Sequence, residues 1–507
     1  MPNPGKGSTT SLWSKLGLRN RGPKAGSETA RRERYKTLFR RLSPFVEFAQ
    51  FRAGIIGGWA LDENKSAKNE TYGLGVVQSS NIGGSQPAHT LVIGGTGSGK
   101  TRRWIAPAAT FWAGPTLVTS TKTELATLID NAGRDVISRG ARKLLWAPMT
   151  DVDIPGWERV YWDPVCEVTD VASAISVGSD LMSIFGLSSN SSDKFWESQG
   201  SVLLEPMLLA AHLINNDADW VFQKLVSGSD SWKEVIGILD AGNHRDISER
   251  VIALMKAGAS DGGRRIDSAS ASASSALASW RSPKMQRGEL GILDLGSWAR
   301  SSGDTLLVVV PTEYSAVLAP AVISLIDAAI RHAKKVNEQL RSNGQGQKNA
   351  YGIFMDEMAN LSPLPKLPNY LGELRGHGIT LIGALQHSSQ FKRWGVFSES
   401  LSKSWPITLV HAMANEIELA HRVSQAHGMT QVKRVSTSRG RGGSSSTMSF
   451  VWEPIRRPEK VFVGTRDQWI TIEGGKSIAR ADTFDITHKN YIDLLDTIED
   501  AIALGEG

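Results

Sequence analysis

The residues best suited to chemistry lie in two short stretches. The first, "GGTGSGKT", fits G-x-x-x-x-G-K-[ST]: Gly94, Gly99, Lys100 and Thr101 hold the fixed positions, with Gly95, Thr96, Gly97 and Ser98 between them. Glycines let the backbone turn so that successive N–H groups face an anion, and a helix begun there points its positive end at the same charge. Lys100 is then placed to reach the β- and γ-phosphates of a nucleotide, and the Thr101 hydroxyl to bind Mg2+. A glycine-rich turn that merely joins strand to helix is the alternative. The flanks argue against it: Leu91-Val92-Ile93 precedes the turn, helical positions Trp104, Ala108, Phe111 and Trp112 follow, and a second apolar run, "TLVTS", comes next.

The second stretch, "YGIFMDEMANL", runs apolar residues into two acids, as expected at the C-terminal end of a buried strand. Asp356 is suited to hold a Mg2+ shell through water, and Glu357 to orient or deprotonate an attacking water. The phosphate loop alone marks a nucleotide binder; the carboxylate pair adds hydrolysis. Gln386 closes another apolar strand, "GITLIGALQ", where it can contact a γ-phosphate or water, or be a hydrogen-bonded surface side chain. Arg375 in "LGELRGHGI" is either a helix-surface residue or a finger reaching a neighbouring subunit's γ-phosphate. Lys122 and Glu124 in "TSTKTEL" suit an ion pair or helix-start contacts as well as nucleotide sensing.

The elements that must position these groups follow from the pattern. From about 51 to 167, strand and helix alternate, the rhythm of a parallel sheet in an α/β fold. Between about 168 and 298 only helical periodicity appears, from "VASAISVGSDLMSIFGL" to the small-residue run "DSASASASSALASW", which reads as an all-α insertion. Strand signals return over 299–482 with "TLLVVVP", "YGIFMDE", "GITLIGALQ" and "PITLVHAM", and "KVFVGTRDQWITIEGG" reads as short terminal strands. "STSRGRGGSSSTMS", Ser436 to Ser449, reads as a flexible low-complexity loop. Residues 1–50 form a basic, partly disordered arm, and 483–507 a helical tail.

Composition narrows the classes. The chain of 507 residues has a formal net charge of +6, but residues 1–50 hold eleven Lys/Arg against three Glu, a surplus of eight, so the rest sums to −2. The basic character belongs to the arm, which suits nucleic acid, an anionic membrane face or a solubilising tail. A single cysteine, Cys166, excludes an intramolecular disulfide framework and a multi-cysteine zinc site. The longest apolar runs are interrupted, "SVLLEPMLLAAHLI" by Glu205 and Pro206 and "AVLAPAVISLIDAAI" by Pro320 and Asp327, so no membrane-crossing helix is expected. A cytoplasmic chain follows, with "TLFRRLSPFVEFAQF" able to lie peripherally on the membrane's cytoplasmic face.

Together these pieces resemble the coupling-protein ATPases of type IV secretion and conjugation, the TraG/TraD family within the FtsK/HerA-like motors. The resemblance spans about residues 53–480 and rests on four blocks in order. These are "GGTGSGKTRRWIAPAATFWAGPTLVTSTKTEL", the "FW" pair Phe195-Trp196, "MDEMANLSPLPKLPNYLGELRGHGITLIGALQHSSQFKRWG" and the closing "STSRGRGGSSS…RRPEKVFVG". Two departures stand out. Family members usually begin with transmembrane helices, which are not expected here, so a soluble variant or a separate membrane-anchor subunit is implied. Ser120 also stands where the family often has Asp, although Lys122 and Glu124 match.

The resemblance implies a RecA-like P-loop domain interrupted by an all-α domain, using ATP and Mg2+ in a homo-hexamer. It would move DNA, single-stranded with an attached relaxase, toward type IV secretion channel components. Two rivals remain at this level: a cytoplasmic double-strand DNA translocase without a secretion role, and an ATP-switched recruitment module with little turnover. The Asp356-Glu357 pair favours turnover.

Overall fold

The computed structural model describes residues 54–61, 71–77, 88–112, 114–137, 140–186, 194–260, 264–285, 287–344, 351–440, 443–455, 457–473, 477–482 and 486–487. The basic arm 1–50, with the surface-lying candidate Thr37 to Phe51, lies outside the described residues, as does nearly all of the tail 483–507. The chain divides into two compact units: Met1–Pro107 with Ala384–Gln390 and Ser402–Gly507, and Ala108–Gly383 with Phe391–Leu401.

The described strands, in chain order, are β1 Gly54–Leu61, β2 Thr71–Val77, β3 Thr90–Ile93, β4 Thr116–Ser120, β5 Lys143–Trp146, β6 Glu158–Tyr161, β7 Gly291–Ile292 and β8 Thr305–Val309. They continue with β9 Tyr351–Met355, β10 Ile379–Leu385, β11 Ile407–His411, β12 Met429–Gly440, β13 Gly443–Pro454, β14 Gln468–Glu473 and β15 Ser477–Asp482. In the second unit, β10, β9, β4, β8, β5, β6 and β7 are successive neighbours, and every pairing is parallel. All residues of β4, β8, β9 and β10 are buried, which explains their near-continuous apolar runs: helices cover both faces of a parallel sheet. In the first unit, β11 pairs with β3 in parallel and with β14 antiparallel, and β15 joins β14 to the β1–β2 hairpin.

The helical pattern of 168–298 resolves into Val171–Gly186, Lys194–Leu213, Ala218–Val226, Trp232–Ala241, Arg245–Ser260 and Arg264–Ala276, each on a segment with apolar helical spacing. Phe195 and Trp196 fall in the second of these helices. Arg134 closes the helix Ala106–Phe111 (α-helical after a π turn) at its C-terminal end. Its buried guanidinium donates to the carbonyls of Ala109 at 3.0 Å, Thr110 at 3.1 Å and Trp112, to that of Gly303, and to Thr305 Oγ1 at 3.0 Å. Burial lowers its pKa to about 10, so it stays charged at neutral pH. Burial and the neighbouring Asp163 hold the Cys166 thiol well above its ordinary pKa, which leaves it unreactive.

Three sequence expectations need correction. The long helix expected after β8 is Ser315–Ser342, and Pro320 and Asp327 do not cut its apolar run short of membrane-crossing length. Asp327 is tolerated there because Tyr370 donates to it at 2.7 Å and Lys366 lies 3.3 Å away. Thr312–Ser342 is long and apolar enough to cross a membrane by length and composition, but 67% of its most apolar window is buried inside the protein, as in a core helix. Pro206 likewise lies inside the continuous helix Lys194–Leu213. The described parts of the Ser436–Ser449 segment, Ser436–Gly440 and Gly443–Ser449, are not a loop but half of a ribbon, β12 pairing with β13 over twelve register positions. Finally, "KVFVG" forms no strand; the terminal strands are β14 and β15.

Candidate nucleotide site

In the first unit, β3 ends at Ile93 and the chain turns through Gly94–Gly99 into a π-helical turn, Thr101–Ile105, a helix distortion often found at functional sites. The turn is anchored at both ends. Gly94 N–H donates to Leu385 O at the end of β10 at 3.0 Å, and Arg103 N–H to Gly99 O at 2.8 Å. Two glycines here are required, Gly94 by space and Gly99 by conformation. A Cβ on Gly94 would fall 2.6 Å from Ser98 Oγ and 3.0 Å from the Trp469 ring; Gly99 has φ +88, and a Cβ there would meet Arg103 Nε at 2.8 Å.

The Lys100 ammonium is nearly buried and donates to Gly94 O at 2.6 Å and Gly95 O at 3.4 Å, so it lies across the mouth of the turn. The buried Ser98 hydroxyl finds no hydrogen-bond partner among the described residues. An ammonium, an unsatisfied hydroxyl and backbone kept bare by glycine are the donor set that a chain of phosphates satisfies. Beside the turn is a cavity of about 430 Å³ lined by Gly97, Ser98, Gly99, Arg102, Arg103, Arg466 and Asp467. Its one carboxylate, Asp467, is paired with Arg103 at 2.5 Å, which leaves a cationic rim suited to an anion. Gln386 directly follows β10, one residue past the carbonyl that holds Gly94, and its backbone N–H donates to Gln390 Oε1 at 2.7 Å.

Several of these contributors have no motif in the sequence. Trp469 on β14 is fully buried and stacks edge-on with Trp104 at 5.6 Å and with His411 at 5.2 Å. His411 Nε2 in turn donates to Arg466 O at 2.9 Å, fixing the Arg466–Asp467 turn. Glu416, also buried, accepts from Ser388 N–H at 2.9 Å and from the Ser388 hydroxyl, tying down the segment after Gln386. A polar turn, "TRDQ", ahead of an apolar strand was the only available signal for the first group.

In the second unit, β9 ends in Asp356, buried, with its N–H donating to Thr119 O on β4 at 3.2 Å. Glu357 follows in left-handed backbone, φ 55 and ψ 43, and its carbonyl accepts from Asn360 and Leu361 to start the short helix Met358–Leu361. Parallel pairing thus brings the carboxylate pair to the end of β9 that adjoins the end of β4. There Ser120 Oγ accepts from Lys122 N–H at 3.1 Å, an acceptor role that a carboxylate at that position could also fill. Glu124 begins the next helix, Glu124–Asn131.

Arg375 is not brought to this edge. It sits exposed in the turn Leu374–His377 that leads into β10, and β10 runs parallel to β9, so Arg375 lies at the opposite end of the strands from Asp356. Asn337 donates to His377 O at 2.6 Å and Arg341 to Gly376 O, which ties this turn to the helix Ser315–Ser342.

The comparisons with known proteins agree with this architecture. Residues 351–462 match the family model described as the TraM recognition site of TraD and TraG. Among solved structures, the chain is similar to the bacterial conjugative coupling protein TrwBdeltaN70 in its unbound form, with a TM-score of 0.56 and 17% identity over 79% of this chain and 86% of that one. It is similar to the plasmid coupling protein TrwB in complex with the ATP analogue ADPNP, with a TM-score of 0.56 and 17% identity over 80% and 87% of the two chains. The TrwB complex with ADP and Mg2+ gives a TM-score of 0.54 and 16% identity over 79% and 86%. No curated protein matches the chain. Residues 351–462 thus match the TraM recognition site model of TraD and TraG, on a chain with the RecA-like P-loop fold seen in the TrwB structures.

Proposed function

We propose that this chain is an ATP-driven DNA translocase that acts as a coupling protein, recruiting a DNA–relaxase substrate to a type IV secretion channel of conjugation. The observation that carries it is the turn Gly94–Thr101, where the Lys100 ammonium, the unsatisfied Ser98 hydroxyl and the bare backbone at Gly94 and Gly99 fit a polyphosphate. The complexes of TrwB with ADPNP and with ADP and Mg2+ support ATP and Mg2+ as the ligands. Mg2+ held by Thr101 and, through water, by Asp356 would supply positive charge against the phosphate oxygens. Lys100 neutralises the β- and γ-phosphates, Glu357 takes or orients the proton of the attacking water, and Gln386 hydrogen-bonds that water or the γ-phosphate.

Arg375 is proposed to act in trans, on the site of the next subunit of a homo-hexamer. Its exposure on a turn remote from its own Asp356 supports that role. Mixed rings test it: Arg375→Ala and Lys100→Ala protomers, each inactive alone, should regain part of the activity together. Full activity in Arg375→Ala alone would remove the finger. The DNA is proposed to be single-stranded with attached relaxase, and the secretion channel to be reached at the cytoplasmic face of the membrane through a separate anchor subunit. The reading as a whole is tested by steady-state ATP hydrolysis with and without single-stranded DNA. Stimulation of tenfold or more is expected; a slow rate indifferent to DNA would favour a recruitment switch instead.

A further inference from the structure

The ribbon β12–β13 forms a two-stranded sheet of its own. Twelve residues per strand give it a length of about 40 Å. A two-stranded ribbon has two faces, and alternation along the paired strands assigns each residue to one of them. The register sets Gln431 opposite Trp452, Lys433 opposite Phe450 and Val435 opposite Met448, so these six share a face. That face is open: Phe450 is 63% exposed and Trp452 60%, and Val435, Met448 and Lys433 are exposed as well. On the opposite face, Glu453 is held by Arg434 and by Arg457 at 2.7 Å. Glu453 is the only acid between Met429 and Pro454, against Lys433, Arg434, Arg439 and Arg441. The ribbon is therefore basic, and its aromatic face carries a cation and no carboxylate.

We propose that this face is a binding site for single-stranded nucleic acid, with Phe450 and Trp452 stacking on successive bases and Lys433 meeting the phosphates. The inference rests on the DNA-translocase reading and deepens it. Exposed aromatic rings on a β-surface offer flat apolar area at a two-residue spacing of about 7 Å, matched to unstacked bases, and flanking cations meet the backbone charge. Duplex DNA keeps its bases stacked inside and cannot use those rings, so the site selects single strands. A second copy of the chain fits less well, because two such ribbons carry the same positive charge and repel one another.

The test is fluorescence anisotropy with a labelled oligo-dT strand and a duplex of equal length, on the full chain. Phe450→Ala/Trp452→Ala should weaken single-strand binding by roughly tenfold to a hundredfold, with duplex binding little changed, and Phe450→Tyr/Trp452→Phe should restore it. Lys433→Ala should flatten the salt dependence by about 0.7 in log–log slope. Single-strand binding by Phe450→Ala/Trp452→Ala equal to wild type would overturn the ribbon site and leave the translocase reading standing. No binding of the strand by the wild-type chain would overturn both. Normal strand affinity with loss of assembly in sedimentation velocity would make the face a contact between copies, which also overturns the proposal.

Discussion

In the first unit, left-handed backbone falls to glycine: Gly97 has φ 77 and Gly99 φ 88 in the turn after β3. In the second unit, at the end of β9, the same region of conformational space is held by Glu357 at φ 55. Glycine enters it without a steric penalty, whereas a residue with a Cβ loses roughly 1–2 kcal/mol. The other non-glycine residues with positive φ among those described are Asn215 and Asn243, and asparagine tolerates this region through local hydrogen bonding. Glu357 has no such allowance. Strain of this kind persists where the surrounding structure needs the side chain more than the relaxed backbone. The two regions therefore serve one proposed reaction by opposite means: the phosphate loop needs bare backbone and no side chain, and the strand end needs a carboxylate whatever the backbone costs.

Exchanging the residue types breaks this comparison in two directions. Glu357→Gly should lower ATP hydrolysis by orders of magnitude while raising unfolding free energy by about 1 kcal/mol, because the left-handed strain is relieved. Denaturant unfolding and steady-state kinetics on one preparation measure both, and a loss of stability would refute the strain argument. Gly99→Ala should act oppositely, losing about 1–2 kcal/mol and weakening nucleotide binding, since its Cβ enters a left-handed site and meets Arg103. Gly95→Ala sharpens the contrast. Its φ is not left-handed and a Cβ there meets nothing within 4 Å, so stability should change by no more than about 0.5 kcal/mol. Equal damage at Gly95 and Gly99 would mean that conformation is not what selects glycine here.

Both halves of the proposed site stood out in the sequence because such chemistry would constrain residue type at fixed spacing: a lysine and a hydroxyl after spaced glycines, and two acids after an apolar strand. The insertion's helices were readable because burial on one side leaves a 3.6-residue period. The ribbon was not. Its Ser/Gly content resembles a linker, and what makes it a ribbon is pairing between Met429–Gly440 and Gly443–Pro454, a non-local choice that composition does not encode. The wall behind the phosphate loop was also hidden, since Trp469 reaches Gly94 from a strand more than 370 residues later in the chain.

Glu357 is proposed as the base of an ATP hydrolase whose phosphate grip is Gly94–Thr101. The most direct measurement is nucleotide affinity and single-turnover hydrolysis of Glu357→Gln beside wild type and Lys100→Ala. Glu357→Gln keeps the shape of the side chain and removes its basicity, so it should bind ATP with wild-type affinity and hydrolyse it at least about a hundredfold more slowly. Lys100→Ala should lose both. Wild-type hydrolysis by Glu357→Gln would contradict the assignment.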